Sequence, residues 1–350
     1  MAGVGFSAML ILFLFGVYEG VKAGATRYVA DSPAKIWICQ NNSNNLLRSS
    51  SFLKASLNDA IQQTEEVDEV TGILRVLVTA TIHDRPFTLF VFGFDPESKL
   101  SAPSMLMRGH SDIHSGDIIL DKAFARKHRL TMGDSIQIQG KTFRVSGICE
   151  GTNTIVAQFA FTTLRDAQKL LGFSDIVSFF LISTTGKIRI EDVILSLKKR
   201  FPELAVFTKR VFIQNNLQEM STGVLQILGT IALFGIIIGA AVITLMLYGS
   251  ILEKREDYAL FKALGANQKY LVSLVLWQSL LLATMGFAFG LLFNISISPL
   301  IIRFVPEMTL IFSWQAAVTV FVLCLCVGAL GSWMPIHKIR YIYPAEVFRA

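Results

Sequence analysis

The stretch "VLQILGTIALFGIIIGAAVITLMLYGSILEKREDYALFKALGANQKYL", residues 224–271, decides how the rest of the chain is read. From 224 to 248 its one strongly polar side chain is Gln226, and the run exceeds the roughly 20 residues a helix needs to cross a bilayer core. Glu253, Lys254, Arg255, Glu256 and Asp257 then follow in a row, and such a cluster belongs at a membrane surface rather than in hydrocarbon. Beyond them Leu260, Phe261 and Leu264 share one face of a short helix, because residues three and four apart are neighbours. Gly265 suits the end of that helix, and Asn267 suits the N-cap of the next. The pattern predicts a helix–turn–helix elbow over 250–269, with Glu253, Arg255, Glu256 and Lys262 around an apolar patch. An interfacial helix resting on lipid is the competing reading. Lipid-binding helices carry Lys and Arg on their polar face, so the mixed signs fit a protein partner better.

Working outward, residues 271–293 and 312–334 form two further apolar runs of spanning length. The whole chain of 350 residues is 17% charged, against about 25% in ordinary globular proteins, and the deficit is concentrated in these runs. At the N-terminus, "MAGVGFSAMLILFLFGVYEG" carries no charge before Glu19, the short end of a spanning length. A signal peptide would open with basic residues, and none precedes Lys22, so an uncleaved helix is predicted. The missing basic lead-in also suggests a late start that trims a cytoplasmic segment.

These runs predict an α-helical membrane protein with four transmembrane helices and a large α+β extracytoplasmic domain inserted between helices 1 and 2. The expected divisions are 1–24 for helix 1, 25–220 for the outer domain and 221–249 for helix 2. The elbow at 250–269 follows, then helix 3 at 270–296, an outer loop at 297–311, helix 4 at 312–334 and a tail at 335–350. Lys254, Arg255, Lys262 and Lys269 lie between helices 2 and 3, and Lys338, Arg340 and Arg349 follow helix 4, whereas Arg303 stands alone between helices 3 and 4. Lys/Arg excess marks cytoplasmic loops, which puts the elbow and both termini in the cytoplasm. Lys22 and Arg27 break the rule, but long domains translocate largely regardless of charge.

The outer segment reads as a folded domain. "KIWIC", "ILRVLVTATI" and "FTLFVFGF" are rich in β-branched and aromatic residues and read as strands. "SIQIQGKTFRVSGI" is two alternating runs around Gly140-Lys141, a hairpin signal. "TTLRDAQKLLGF" predicts a helix closed by Gly172, and "EDVILSLKKRFP" one stopped by Pro202. Mixed strands and helices of this length suggest an α+β domain of two lobes.

The search for chemistry is mostly negative. A P-loop requires G-x-x-x-x-G-K-[ST], and Gly186-Lys187-Ile188 does not supply it, so ATP hydrolysis is expected on a separate subunit. "GHSDIHSGD", 109–117, gathers His110, Asp112, His114 and Asp117, but its glycines and serines predict a solvated loop rather than a metal site. No catalytic or cofactor constellation is predicted. The net charge of +6 divides evenly: residues 25–220 hold 23 Lys/Arg against 20 Asp/Glu. Without a basic block interleaved with aromatics, no nucleic-acid surface is expected. No ionisable residue sits mid-span, which excludes a proton pathway of the usual kind. Cys39 and Cys149 have access to disulfide chemistry outside the cytoplasm, although no spacing argument brings them together; Cys324 and Cys326 lie in an apolar run. Three glycine pairs four apart, Gly16/Gly20, Gly235/Gly239 and Gly286/Gly290, predict close helix packing, within one chain or across a dimer.

At the elbow, "EKREDYALFKALGANQKYL" resembles the cytoplasmic coupling segment of FtsX/MacB-type ABC transporter permeases, a charged "R-E" followed by apolar residues and "(K/R)-A-L-G-A". The closing "IRYIYPAEVFRA" is similar to that family's ending, and "GDIILDKAFARKHRLTMGDSIQIQGKTFRVSGI" resembles its extracytoplasmic core, with an "L-x-x-G-D" turn before a strand pair. "VFGFDPES" and "VFTKRVFI" resemble the DevC branch, which is associated with glycolipid export. The resemblance implies a bacterial inner-membrane permease that pairs with a second copy, docks a separate ABC ATPase on the elbow, and works with a periplasmic adaptor in export. A regulator relaying ATPase strokes to cell-wall hydrolases is the neighbouring alternative, and a membrane-anchored receptor without an ATPase the more distant one.

Overall fold

The computed structural model describes residues 2–340 apart from 83–84, 104 and 154–157, and leaves undescribed the side chains of 2–4, 224, 255, 334 and 338–340. The "YIYPAEVFRA" ending, with Arg349, therefore lies outside the described residues, as do the side chains of Arg255, Lys338 and Arg340. Two compact units divide the chain. A helical unit takes Met1–Glu19, Leu225–Arg303 and Leu310–Ala350, and an α+β unit takes Gly20–Val224 and Phe304–Thr309.

In the α+β unit the chain arrives on α1 (Ala2–Asp31) and continues through β1 (Ile36–Gln40), β2 (Leu53–Lys54), α2 (Leu57–Gln62), β3 (Val67–Ile82) and β4 (Arg85–Phe94). Next come β5 (Leu106–Gly109), β6 (Asp117–Asp121), α3 (Lys122–His128), β7 (Ser135–Ile138), β8 (Lys141–Cys149), β9 (Phe159–Thr163) and α4 (Leu164–Leu171). The unit closes with β10 (Ile176–Val177), β11 (Phe179–Thr184), α5 (Ile190–Arg200), β12 (Leu204–Thr208) and α6 (Lys209–Ser221).

The 16-residue strand β3 serves two lobes. Its first half pairs with β11, which continues to β1 and β12 in an antiparallel sheet. Under that sheet α2 and α5 close a core of Ile36, Ile38, Ile61, Phe180, Ile182, Leu197 and neighbours. The second half of β3 pairs with β4, and the hydrogen-bonded order then runs β4, β9, β6, β8, β7 and back to β3. This closed circuit of six strands is a small barrel, and closure removes sheet edges that would otherwise stay unpaired. Its interior holds Leu74, Val76, Val78, Leu89, Val91, Ile118, Leu120 and Ile136. From Ala80 to Ile82 β3 alternates exposed and buried, the period expected when one face is inside.

Local signals explain the element ends. The Thr163 hydroxyl accepts from Asp166 N to start α4, and Gly172 ends it at φ +84°. The hairpin predicted around Gly140-Lys141 is shifted by one residue: Ile138 pairs with Lys141, so the turn residues are Gln139 and Gly140, both left-handed at φ +47° and +78°. Positive φ at both positions matches the twist of the strands it joins. The "L-x-x-G-D" turn is held by Asp134, whose carboxylate accepts from Thr131 N at 2.6 Å and Thr131 Oγ1 at 2.9 Å. Cys39 and Cys149 are both free and buried, one in each lobe. Cys39 Sγ donates to Ser43 O and Cys149 Sγ to Leu120 O, so the disulfide that location alone would allow is not formed.

The helical unit contains the first turns of α1, then α7 (Val224–Glu253), α8 (Arg255–Ala263), α9 (Gln268–Phe304), α10 (Trp314–Gly331) and α11 (Trp333–Arg340). Among the described residues four helices are long and apolar enough to span a membrane. The third is longer than the 270–296 expected, since α9 passes through Pro299 to Phe304. Pro299 has no N–H to donate to the preceding turn, and nearby Ser298 Oγ donates to the Asn294 carbonyl at 2.7 Å. The connection to α10 is accordingly 305–313 rather than 297–311.

Candidate functional site

Two short helical ends build the elbow. α7 ends at Glu253, and after the single residue Lys254, helix α8 begins. One side of α8 is anchored: Tyr258 and Ala259 are 2% and 0% exposed and pack with Ile251, Leu271 and Val275. The Tyr258 hydroxyl donates to Gln278 Oε1 at 3.3 Å. Burial pushes its phenol pKa above the ordinary value. The other side is bare: Leu264 is 76% exposed, Leu260 49% and Phe261 39%.

The helix stops by a Schellman arrangement. Ala266 N donates to Phe261 O at 2.9 Å and Gly265 N to Lys262 O at 3.1 Å, with Gly265 at φ +88°. A residue with Cβ is strained in that conformation, which is why glycine stands there. Asn267 Oδ1 then accepts from Lys269 N at 3.3 Å and caps α9. Glu256 and Asp257 sit exposed in the first turn of α8, where the helix dipole favours negative charge. Glu253 is exposed, Lys262 lies half-buried in the last turn, and the Arg255 side chain lies outside the described residues.

Among its described residues the arrangement has no acid–base or nucleophilic apparatus. It offers three apolar side chains on a rigid helix, anchored from behind and ringed by charge. Behind it, α7 and α9 border an open cavity of about 930 Å³ whose lining includes Leu245, Glu253, Trp277 and Gln278. Sequence reasoning placed the exposed face and the caps but missed Tyr258 and Ala259 as anchors. The available signal was a tyrosine interrupting the polar run between Asp257 and Leu260.

The glycines are divided between helix and loop partners. A Cβ on Gly290 would sit 2.8 Å from both Gly5 O and Met9 N, so α9 touches the α1 backbone there. At Gly239 it would meet Ser7 Cβ at 3.2 Å, and at Gly235 the Ile11 and Leu10 side chains at 3.5 and 3.6 Å. Gly286 is buried in α9. Gly16 and Gly20 instead face the segment after α9: Gly16 O accepts from Ile311 N at 3.2 Å, and a Cβ on Gly20 would overlap the Thr309 carbonyl. Polar ties reinforce the helix contacts. Ser279 Oγ donates to Gly328 O at 2.8 Å and Thr244 Oγ1 to Gly331 O at 3.0 Å.

In the α+β unit, His110, Asp112 and His114 are exposed on the predicted loop. Asp117 is buried and pairs with Arg144 at 3.1 Å. Among the described residues no cluster of three or more His, Cys, Asp or Glu is placed to hold a metal.

A profile of the MacB-like periplasmic core domain matches residues 1–200, and one of the FtsX-like permease C-terminal half matches residues 229–344. The chain belongs to the MacB- and FtsX-like ABC transporter permease family. The permease is 21% identical over 96% of its length to a putative hemin transport system permease, HrtB, of Staphylococcus haemolyticus, covering 91% of that relative. It is 25% identical, over 63% of its length, to an uncharacterized ABC transporter permease of Methanocaldococcus jannaschii, and spans 58% of that protein. Among solved structures, the periplasmic region of MacB from Actinobacillus actinomycetemcomitans matches 52% of the permease and 92% of that chain, at 11% identity and a TM-score of 0.42. The match of residues 1–200 to a MacB-like periplasmic core domain makes the α+β unit the permease's extracytoplasmic domain, and the long apolar helices found among the described residues are its membrane part.

Proposed function

We propose that this permease is the membrane subunit of an ABC export system whose ATPase is a separate chain docked on the elbow. The observation that carries this reading is the two-sided packing of α8. Tyr258 and Ala259 lock it to the helical unit while Leu260, Phe261 and Leu264 are presented outward. The topology in this reading has the elbow and both termini in the cytoplasm. A second copy completes the assembly, and a periplasmic adaptor is the expected outer partner. Glu253, Arg255, Glu256 and Lys262 set orientation at the rim of the contact. ATP-driven closure of the docked ATPases would move the helices and, through them, the extracytoplasmic domain.

Buried apolar anchors dominate such contacts, at about 2 kcal/mol or more each, and rim charges contribute less. Phe261→Ala should therefore weaken ATPase association by roughly 30-fold, and Lys262→Ala by much less. The test is recovery of the co-expressed ATPase on tagged permease. Full recovery with Phe261→Ala and Leu264→Ala combined would refute the docking site.

A further inference from the structure

Helix α4 carries more positive charge than its own fold can use. Arg165 and Lys169 are exposed and four residues apart, so they share one face, where like charges repel. Lys169 has a structural account. It stands in the last turn, where the helix dipole favours a cation, and its Nζ donates to Asp166 Oδ1 at 3.1 Å. Arg165 has none. It follows Leu164 at the start of α4, the end where the dipole disfavours a cation. Among the described residues it makes no ion pair or side-chain hydrogen bond.

A third cation comes from a different element. Lys141 opens β8 after the hairpin turn, and its Nζ donates to the Lys169 main-chain carbonyl at 2.9 Å. That bond fixes the ammonium beside α4 and leaves it further protons to donate. Lys141, Arg165 and Lys169 line an open cavity of about 580 Å³, and no carboxylate lines it among the described residues. Phe173 supplies the apolar part of the lining. Gly172 N and Phe173 N both donate to Gln168 O, at 2.9 and 3.2 Å, a turn that leaves the Phe173 ring 60% exposed. The space over Gly172 is open. The acids next to these residues in the chain are engaged elsewhere: Asp166 accepts from Gly116 N and Ser115 Oγ, both at 2.8 Å, and Asp175 Oδ1 accepts from Ser56 N at 3.1 Å.

We propose that this cavity binds a soluble organic anion, one that joins a phosphate, sulfonate or carboxylate group to an apolar portion. Cations from two elements line one volume, of the size that small-molecule sites have, and charged donors make strong bonds to such a group. An anion held between Arg165 and Lys169 offsets the repulsion that the two cations otherwise exert on each other. The exposed ring of Phe173 covers the apolar portion. An acidic protein segment would use the charges and leave that ring without a purpose. The site is built entirely from the extracytoplasmic unit and does not rest on the docking reading above.

The experiment is equilibrium dialysis of naphthyl phosphate against the full-length permease in maltoside micelles, with micelles alone as the blank. Saturable binding to the wild type is expected. Arg165→Gln should weaken it about tenfold or more and leave the melting temperature unchanged or higher, because the lost cation stood at the disfavoured end of a helix. A merely structural arginine would lower that temperature when replaced. Phe173→Ala should weaken naphthyl phosphate roughly threefold or more and leave binding of inorganic phosphate as it was. Lys198→Ala, at an exposed cation on α5, should change neither. Absence of saturable binding in the wild type, or undiminished binding in Arg165→Gln, would overturn the proposal. So would binding confined to phosphatidate in lipid nanodiscs or to polyglutamate, which would make the patch a membrane or protein contact instead.

Discussion

Gly290→Ala should destabilise the helical unit, and comparison with Gly235→Ala isolates the reason. At Gly290 the added Cβ would lie 2.8 Å from Gly5 O, 2.8 Å from Met9 N and 2.9 Å from Ala8 Cβ. Two of those neighbours are backbone, so relief requires α1 and α9 to separate by about half an ångström along their crossing. Overpacking of this kind costs about 1–3 kcal/mol. At Gly235 the Cβ would meet side-chain carbons of Ile11 and Leu10 at 3.5 and 3.6 Å, ordinary contact distances that add no clash. Both substitutions gain the same helix propensity, about 1 kcal/mol for Ala over Gly, so it cancels in the difference. The assay is thermal unfolding of the purified permease in detergent, followed by loss of the monodisperse peak. Gly290→Ala should melt roughly 2–10 °C below Gly235→Ala. Equal melting, or a lower value for Gly235→Ala, would refute the idea that the α1–α9 backbone contact sets the need for glycine.

Asp166 should give the extracytoplasmic domain an acid-sensitive joint. Burial raises its pKa, but the bonds from Gly116 N, Ser115 Oγ, Lys169 and Thr163 outweigh that and leave it below the ordinary 3.8. A depressed pKa means stability that is fully present above the unfolded carboxylate's value and lost as pH falls through the folded one. Asp166→Asn should cost about 1–3 kcal/mol at neutral pH and flatten the decline in stability below pH 4, as read by denaturant titration at several pH values; an unchanged acid decline would count against the joint. Cys39 and Cys149 should resist alkylation in the native permease. Burial pushes the Cys39 thiol up to about 12 and the Cys149 thiol higher still, which leaves little thiolate. Exposed Cys326 should label first with maleimide in detergent, and modification of Cys39 before Cys326 would contradict this.

The membrane part was legible because lipid imposes its rule residue by residue. A helix that must satisfy its own backbone and present apolar side chains writes itself as an uncharged run. Capping signals were legible for a similar reason: Gly172, Gly265 and Asn267 act on groups a few residues away. The exposed apolar face of the elbow followed from helical spacing alone.

What only the tertiary structure decided involves partners far apart in the chain. Nothing local in β3 says that its first half closes one sheet and its second half a barrel, because both halves have strand composition. The continuation of α9 through Pro299 depends on surroundings that a proline signal omits; Asn294 in that helix reaches Met9 O at 3.4 Å across the unit. The spacing of Gly16 and Gly20 announced a close approach but not its object, a loop carbonyl rather than a helix. Lys127 and Glu307 lie 180 residues apart, and no periodicity links them. Spacing along one element reports which face is crowded. The identity of the neighbour is set by how distant elements pack, and that information exists only once the chain has folded.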